Sequence, residues 1–347
     1  MKGIFLNSIM IAAAIVGSVI GAGFITGAEI VRFFSGSNLL PACALLFVVL
    51  FLFFFSILFS GSASESEKRS NLCDLGGLFK ISDVALLFFS FITLCGMCAG
   101  LDAVVADFFN FDPRIPSLSP VMLLLSLFVC GRGIGGVEKF NAFLVPVMIA
   151  AIFFATANGL RAKAPFPAQT QSLPILVYAA MNCFLSSPVV FDGGKKKSVA
   201  AVAVGAALSS LIISASVYFI MKKVSVFPVR GDLPLLSAIE QGGFRVFFSV
   251  VTLFGIATTL VSSHYPLVGK ISESPRKRAL NAVLAVAALA FSRLGFQRIV
   301  YYLYPVIGVF GLLFCGAICV RAAKLLFADD ELFRKRHERV HSGGKQA

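Results

Sequence analysis

The stretch IAAAIVGSVIGAGFITGAEIVRFF, from Ile11 to Phe34, decides how the chain is read. It is apolar enough to enter a bilayer. It also carries Gly17, Gly21, Gly23 and Gly27 within eleven residues, with Glu29 and Arg32 close behind. Each glycine in place of alanine costs a helix interior about 1 kcal/mol. Four of them are poorly suited to a segment that only has to cross. They suit one that must come apart at mid-membrane and present its backbone to something. Freed backbone groups survive at that depth only when buried in protein or lining a watery cavity. The rest of the chain is then expected to wall that cavity.

Composition supports a bilayer setting. The chain has 347 residues, 58% of them hydrophobic, and a mean hydropathy of +0.91. Long apolar runs recur, and no strand-like alternation points to a barrel. The expected class is an all-α integral membrane protein. The net charge of +13 does not indicate nucleic acid, because the charges fall in short loops between apolar runs. The first run continues too long for a cleaved signal peptide and is kept as a span. Of the eight cysteines, only Cys73 lies in an expected loop. Cys95 and Cys98 form C-x-x-C, and Cys315 and Cys319 are one turn apart, but inside membrane helices they read as small packing residues.

A span needs about 20 apolar residues. On that basis ten are expected, at 5–33, 39–60, 82–109, 119–132, 137–158, 172–191, 198–221, 244–269, 278–292 and 299–326. A polar loop, Gly61 to Lys80, follows span 2, and a link bearing Pro165 and Pro167 follows span 5. Residues 1–327 form one transmembrane domain and 328–347 a charged tail. About two in three of the 30 Lys and Arg residues fall on the side that holds both termini. The Lys195–Lys197 and Arg276–Arg278 clusters, in short loops between spans, support this side most, so both termini are expected in the cytoplasm.

An anomaly repeats in the two halves, about 5–158 and 172–326. Span 1 opens the first half and is interrupted by glycines. Span 6 opens the second and carries Asn182, then Ser186-Ser187-Pro188 in mid-segment. Proline removes a backbone donor and clashes with the preceding turn. Serine hydroxyls can re-satisfy the freed carbonyls. Interrupted segments at matching places point to a transporter site between inverted repeats. The competing reading makes Gly17 and Gly21, and Gly23 and Gly27, a small-residue packing face, with Pro188 an ordinary kink.

The motif GSVIGAGFITGAEI, Gly17 to Ile30, opening a ten-span chain, resembles the YkvI-like membrane proteins. These belong with the amino acid–polyamine–organocation transporters of the LeuT fold. The resemblance implies a 5+5 inverted repeat with helices 1 and 6 interrupted. It implies an unwound segment at Ile20, Gly21, Ala22 and Gly23 whose amides would take a carboxylate, in keeping with the partial positive charge of a half-helix N-terminus. The matching segment of span 6 runs from Phe184 to Pro188, with Ser186 and Ser187 inside it and Asn182 beside it. Many relatives bind sodium between spans 1 and 8. Here the implied ligands are the carbonyls of Gly17 and Ile20, with Thr259, Ser262 and Ser263 from GIATTLVSSHY. A hard cation suits such oxygens, although Ser and Thr also back-bond to their own helices. Some proton-coupled relatives carry a lysine on span 5 instead. Span 5 has only Lys139, at its cytoplasmic end, which leans towards sodium.

Other polar residues each carry two readings. Glu29 gates, pairs a cation or takes a proton, or else it forms an ion pair with Arg32. Asp102 is a candidate substrate-binding residue deep in span 3, whereas Asp107 reads as interfacial. Asp192 reads as a loop residue at the end of span 6. His264 reads as hydrogen-bonded packing or a proton relay. Tyr301, Tyr302 and Tyr304 suit an interfacial belt. No H-E-x-x-H, G-x-S-x-G or paired-Cys zinc pattern occurs, and an enzyme is not expected. The expected function is ion-coupled secondary transport of a small organic solute, an amino acid or an amine. The alternative is a sensor of the same fold without net transport. The expected partners are the lipid bilayer, the solute and a sodium ion, and the expected location is the bacterial cytoplasmic (inner) membrane.

Overall fold

The computed structural model describes residues 2–64, 77–109, 112, 116–157, 169–225, 233–239, 242–269 and 275–343. Cys73 and the Pro165–Pro167 link lie outside them. Every regular element among the described residues is a helix. Span 1 is three pieces, α1 (Lys2–Val19), α2 (Ala22–Ile25) and α3 (Ala28–Phe34). Then come α4 (Leu39–Ser64), α5 (Gly77–Phe109), α6 (Ser119–Cys130) and α7 (Ile134–Thr156). The second half holds α8 (Ser172–Gly194), α9 (Val199–Val224), the short α10 (Pro234–Ser237) and α11 (Gly243–Gly269). It ends with α12 (Pro275–Ser292), α13 (Phe296–Arg298), a π-helical turn (Ile299–Leu303) and α14 (Tyr304–Gly343). The charged segment from Asp329 onward continues α14 as helix.

Among the described residues seven helices are long and apolar enough to cross a membrane, and three shorter apolar helices fall at 4–19, 119–130 and 281–292. Their outward faces are apolar: Leu124 of α6 is 69% exposed, Phe143 of α7 77% and Leu313 of α14 69%. A surface this greasy suits lipid rather than water. On α4, Phe47, Phe51, Phe55 and Phe59 recur every four residues and stack at centroid distances of 6.4, 6.0 and 5.7 Å. That spacing puts them on one side of the helix.

Two groups of helices can be distinguished by their packing. One group is α1, α4, α8 and α9, in which α1 and α4 each pack on α8 and α9; the other is α5, α6, α7 and α11, in which α11 packs on the other three; α1 and α7 pack closely across the two. Within the first group the backbones touch. A Cβ added to Gly61 of α4 would meet the carbonyl oxygen of Phe191 on α8, and one added to Gly194 of α8 would meet that of Leu58 on α4. Small residues permit such an approach. α14 approaches α8 in the same way: a Cβ on Gly311 would lie 2.5 Å from the Ala180 carbonyl oxygen.

Two expectations are overturned here. Span 6 is not interrupted, since α8 runs unbroken through Pro188. Pro188 has no N–H for the carbonyl of Phe184 four residues back, but the Ser187 hydroxyl donates to that carbonyl at 2.7 Å. One turn earlier the Ser186 hydroxyl donates to the Asn182 carbonyl at 2.6 Å. The serines close the gap that the proline opens, so the helix has no reason to unwind. Nor does Asp102 line a cavity. Its carboxylate accepts five hydrogen bonds, from the amides of Ser117, Leu118 and Ser119 and the hydroxyls of Ser117 and Ser119, at 2.6 to 3.1 Å. It caps the N-terminus of α6 from the neighbouring helix, satisfying amides that have no partner within α6 and complementing the helix dipole. Asp102 is 2% exposed, and hydrogen bonds to a charged group contribute about 1.5–3 kcal/mol each. Asp102→Ala should therefore destabilise the protein by about 3 kcal/mol or more, with Asp102→Asn retaining part of the cap. Thermal unfolding of the detergent-solubilised protein measures this; an unchanged midpoint for Asp102→Ala would refute the capping role.

Candidate functional site

The break in span 1 falls at Ile20 and Gly21. The last regular α1 bond runs from the Ile20 amide to the Val16 carbonyl, at 2.8 Å. The Gly21 amide then reaches back only two residues, to Val19, at 2.8 Å. Gly21 itself is extended, at φ −99° and ψ −162°. Helical bonding resumes when the Ile25 amide donates to the Gly21 carbonyl at 2.9 Å. Unwinding is thus confined to Ile20 and Gly21, while Ala22 and Gly23 are already helical in α2. Ala22 packs on α5, where a Cβ on Gly100 would lie 2.8 Å from the Ala22 Cβ. A second break follows at Thr26–Gly27, where Gly27 takes a positive φ of 81°. There the Thr26 carbonyl accepts the Leu235 amide of α10 at 2.7 Å.

α11 runs alongside the first break. The Thr259 hydroxyl lies 3.2 Å from the Gly17 carbonyl oxygen and 3.3 Å from that of Ser18, serving carbonyls at the end of α1. A Cβ on Gly21 would sit 2.7 Å from the same hydroxyl, so glycine is what lets Thr259 in. The Ser18 hydroxyl donates to Ser262 at 3.1 Å. The Ile20 carbonyl oxygen faces Gly255, 3.3 Å from where a Cβ there would be. The Ser263 hydroxyl turns back to Leu260 of its own helix at 3.1 Å. From α7, the Asn141 amide donates to the Ala14 carbonyl at 3.3 Å, and its Oδ1 has no hydrogen-bond partner. The side chain fits only because residue 17 is glycine: a Cβ there would lie 2.6 Å from Asn141 Cγ.

A cavity opens at this point. It offers about 20 Å³ to the centres of water-sized spheres, enough for a water or an ion. Gly21, Glu29, Asn182, Thr259, Ser262 and Ser263 all line it, which brings together expected residues from spans 1, 6 and 8. Gly17, Ile20, Ala22 and Gly23 are not among the lining residues and frame the break from behind. Phe184 turns the other way, into an edge-to-face contact with Phe314 at 5.2 Å. Ser186 and Ser187 are occupied within α8, as described above.

The structure also supplies residues that sequence reasoning missed. Thr93 and Met97 of α5, Met181 of α8 and Tyr304 of α14 line the cavity. Tyr304 is 2% exposed, against 51% for Tyr301 and 66% for Tyr302, so it is no interfacial anchor. The π-helical turn just before it changes the register of the helix and turns Tyr304 inward; such turns recur at functional sites. Asn141 is a single amide in an apolar span and carries no sequence signal of its own, and Lys139, two residues before it, is exposed.

The remaining polar candidates have structural partners. His264 Nδ1 is 2.6 Å from the Ser126 hydroxyl. Asp107 pairs with Arg245 at 3.1 Å. Asp192 pairs with Lys195 at 2.6 Å and accepts the Tyr265 hydroxyl at 2.9 Å. Arg32 lies over the Tyr301 ring, 4.5 Å from its centroid, rather than on Glu29. The seven described cysteines are free thiols.

No protein-family model matches the chain. In sequence it is similar to the uncharacterized membrane protein YkvI of Bacillus subtilis (strain 168), at 25% identity across 90% of this chain and 95% of that protein. It is likewise similar to YyaD of the same organism, at 24% identity across 86% and 92%. Among solved structures it resembles MhsT in complex with L-phenylalanine, with a TM-score of 0.61 and 15% identity over 88% of this chain and 87% of that one. It also resembles Mhp1, a nucleobase-cation-symport-1 family transporter, in a closed conformation with bromovinylhydantoin bound. There the TM-score is 0.54 and the identity 14%, over 90% and 75% of the two chains. These likenesses show a helical membrane protein of the LeuT fold.

Proposed function

We propose that this LeuT-fold membrane protein is an ion-coupled secondary transporter of a small organic solute. The observation that carries the reading is the break at Ile20–Gly21, which opens onto a buried cavity shared by spans 1, 6 and 8. A helix that only crossed would have no use for it. Mhp1, a solved transporter of like fold, supports the same reading, as does the L-phenylalanine bound to MhsT. On this view the chain has ten spans, as two five-span repeats, in the bacterial cytoplasmic membrane with both termini inside. α1, α4, α8 and α9 rock against α5, α6, α7 and α11, exposing the cavity to each side in turn. The Tyr265–Asp192 hydrogen bond joins the two groups near the expected cytoplasmic end and has to part on inward opening.

The coupling ion in this reading is sodium. The oxygens gathered at the break are neutral and hard: the Gly17 carbonyl, the hydroxyls of Ser18, Thr259 and Ser262, and the unpartnered Oδ1 of Asn141 nearby. Such donors suit sodium, which would be carried with the solute. Exposed Lys139 cannot supply a lysine ammonium in its place. Purified protein in proteoliposomes should therefore take up solute when a sodium gradient is imposed. The Ser262→Ala, Ser263→Ala double variant should lose the sodium dependence. An unchanged sodium response in that variant would rule out the ion site, and ligand-induced thermal stabilisation without flux would favour a sensor.

A further inference from the structure

α6 is short for a bilayer. Its 12 residues rise about 18 Å, against a hydrocarbon core of about 30 Å. Its two ends therefore cannot both stand at head-group level. The Ser119 end is closed by protein, through the Asp102 cap. The other end runs into the turn Gly131-Arg132-Gly133, on the side expected in the cytoplasm.

The outward face of α6 is one apolar row. Val121, Leu124, Leu125 and Phe128 recur at helical spacing, and all four are exposed. Arg132 continues the row, with its guanidinium over the Phe128 ring, 3.8 Å from the centroid. Lys139, in the second turn of α7, is exposed at the same end. Nothing acidic in the local sequence balances them, since residues 119–137 contain neither Asp nor Glu. Glu138, the next residue, is buried and interacts electrostatically with Lys197. Among the described residues neither Arg132 nor Lys139 forms a salt bridge.

A guanidinium at the end of a lipid-facing row needs an anion that arrives with the lipid. A phospholipid phosphate fits, because the planar fork of N–H donors matches phosphate oxygens two at a time. The acyl chains would lie on the apolar row below. The cytoplasmic leaflet is the anionic one. The inner face of α6 meets α11: the Ser126 hydroxyl is 2.6 Å from His264 Nδ1, and the Cys130 thiol is 3.3 Å from the Val261 carbonyl oxygen. Whatever seats α6 therefore also seats the helix that brings Thr259, Ser262 and Ser263 to the cavity.

We infer that this flank binds an anionic phospholipid of the inner leaflet, with its phosphate on Arg132 and its chains along α6. Lys139 adds positive charge at the same end. The inference stands whatever the cavity carries.

The test is thermal unfolding of the full chain in detergent, titrated with three probes. These are phosphatidylglycerol, phosphatidylcholine with the same chains, and glycerol phosphate, which has the phosphate without the chains. Phosphatidylglycerol should raise the midpoint at a concentration about fivefold or more below that of phosphatidylcholine. Glycerol phosphate should not raise it. Arg132→Gln should increase the phosphatidylglycerol requirement about fivefold or more, and Arg132→Lys by less. A net charge of +13 attracts anionic lipid everywhere on the chain. Lys324→Gln is therefore the control: it removes an exposed cation at the expected cytoplasmic end of α14 and should change nothing. Equal action of the two lipids, an unchanged requirement in Arg132→Gln, or an equal loss in Lys324→Gln would each overturn the inference. Stabilisation by glycerol phosphate as strong as by phosphatidylglycerol would overturn it in favour of a site for free phosphate.

Discussion

Leucine at position 194 should leave little or no folded protein. Gly194 and Gly61 form a reciprocal contact in which each would drive a side chain into the other helix's main chain, at Leu58 and Phe191. A side-chain clash can be relieved by a rotamer change, but here the obstacle is a carbonyl oxygen of a neighbouring helix, so α4 and α8 would have to separate. Overpacking typically costs about 1–3 kcal/mol when side chains can adjust; with backbone in the way the expected cost lies above that range. This is a large share of a total stability of about 5–15 kcal/mol. Gly316→Leu is the control, because a Cβ there meets nothing within 4 Å and the position is exposed on α14. Size-exclusion profiles of the two variants in detergent should differ sharply: aggregate or no peak for Gly194→Leu, a normal peak for Gly316→Leu. A normal peak and midpoint for Gly194→Leu would mean that α4 and α8 are not locked together, and the proposed rocking of the first group as one body would lose its basis.

The legible parts of the fold were those that chemistry makes local. A cluster of glycines around position 21 marks a weak stretch of helix before any neighbour is known. Hydrophobic run length reports helices, whoever their neighbours are. Thr259 and Ser262 were legible by spacing once the resemblance supplied a pattern, and they meet span 1 through their hydroxyls. What stayed hidden depended on partners distant in sequence or on a balance of local effects. Pro188 and Ser187 carry opposing instructions, and the sequence alone does not say that the serine's hydrogen bond prevails. Asp102 looks like a lone acid in a membrane helix until the start of α6 is placed against it. Tyr304 changes from surface anchor to cavity wall because of one π-helical turn. The second break at Gly27 was visible as a glycine, but its partner, the Leu235 amide, lies on the far side of α9 in the chain.

On the proposed transport function, Thr259→Val should abolish most solute uptake while leaving the protein's packing intact. Valine has nearly the shape of threonine but no hydroxyl. That hydroxyl faces two carbonyls, of Gly17 and Ser18, which end α1 at the break. The Gly21 amide, which a continuous helix would have pointed at Gly17, is committed to Val19. Without Thr259 a buried carbonyl at the break is left without a donor, at about 1–3 kcal/mol. The segment can recover by winding residues 20 and 21 back into helix, which would close the opening that the cavity needs. Either route disfavours the solute-ready conformation, and 1.4 kcal/mol is tenfold in an equilibrium constant, so uptake should fall by roughly tenfold to a hundredfold. Thr259→Ser restores the hydroxyl and should restore most of the uptake. Sodium response separates this role from a purely mechanical one: if Thr259 also faces the ion, the residual uptake of Thr259→Val should need more sodium for half-maximal rate, while that of Thr259→Ser should not. Wild-type uptake and sodium response in Thr259→Val would mean that the break at Gly21 stands without α11. The site would then have to be built from span 1 and its other neighbours alone.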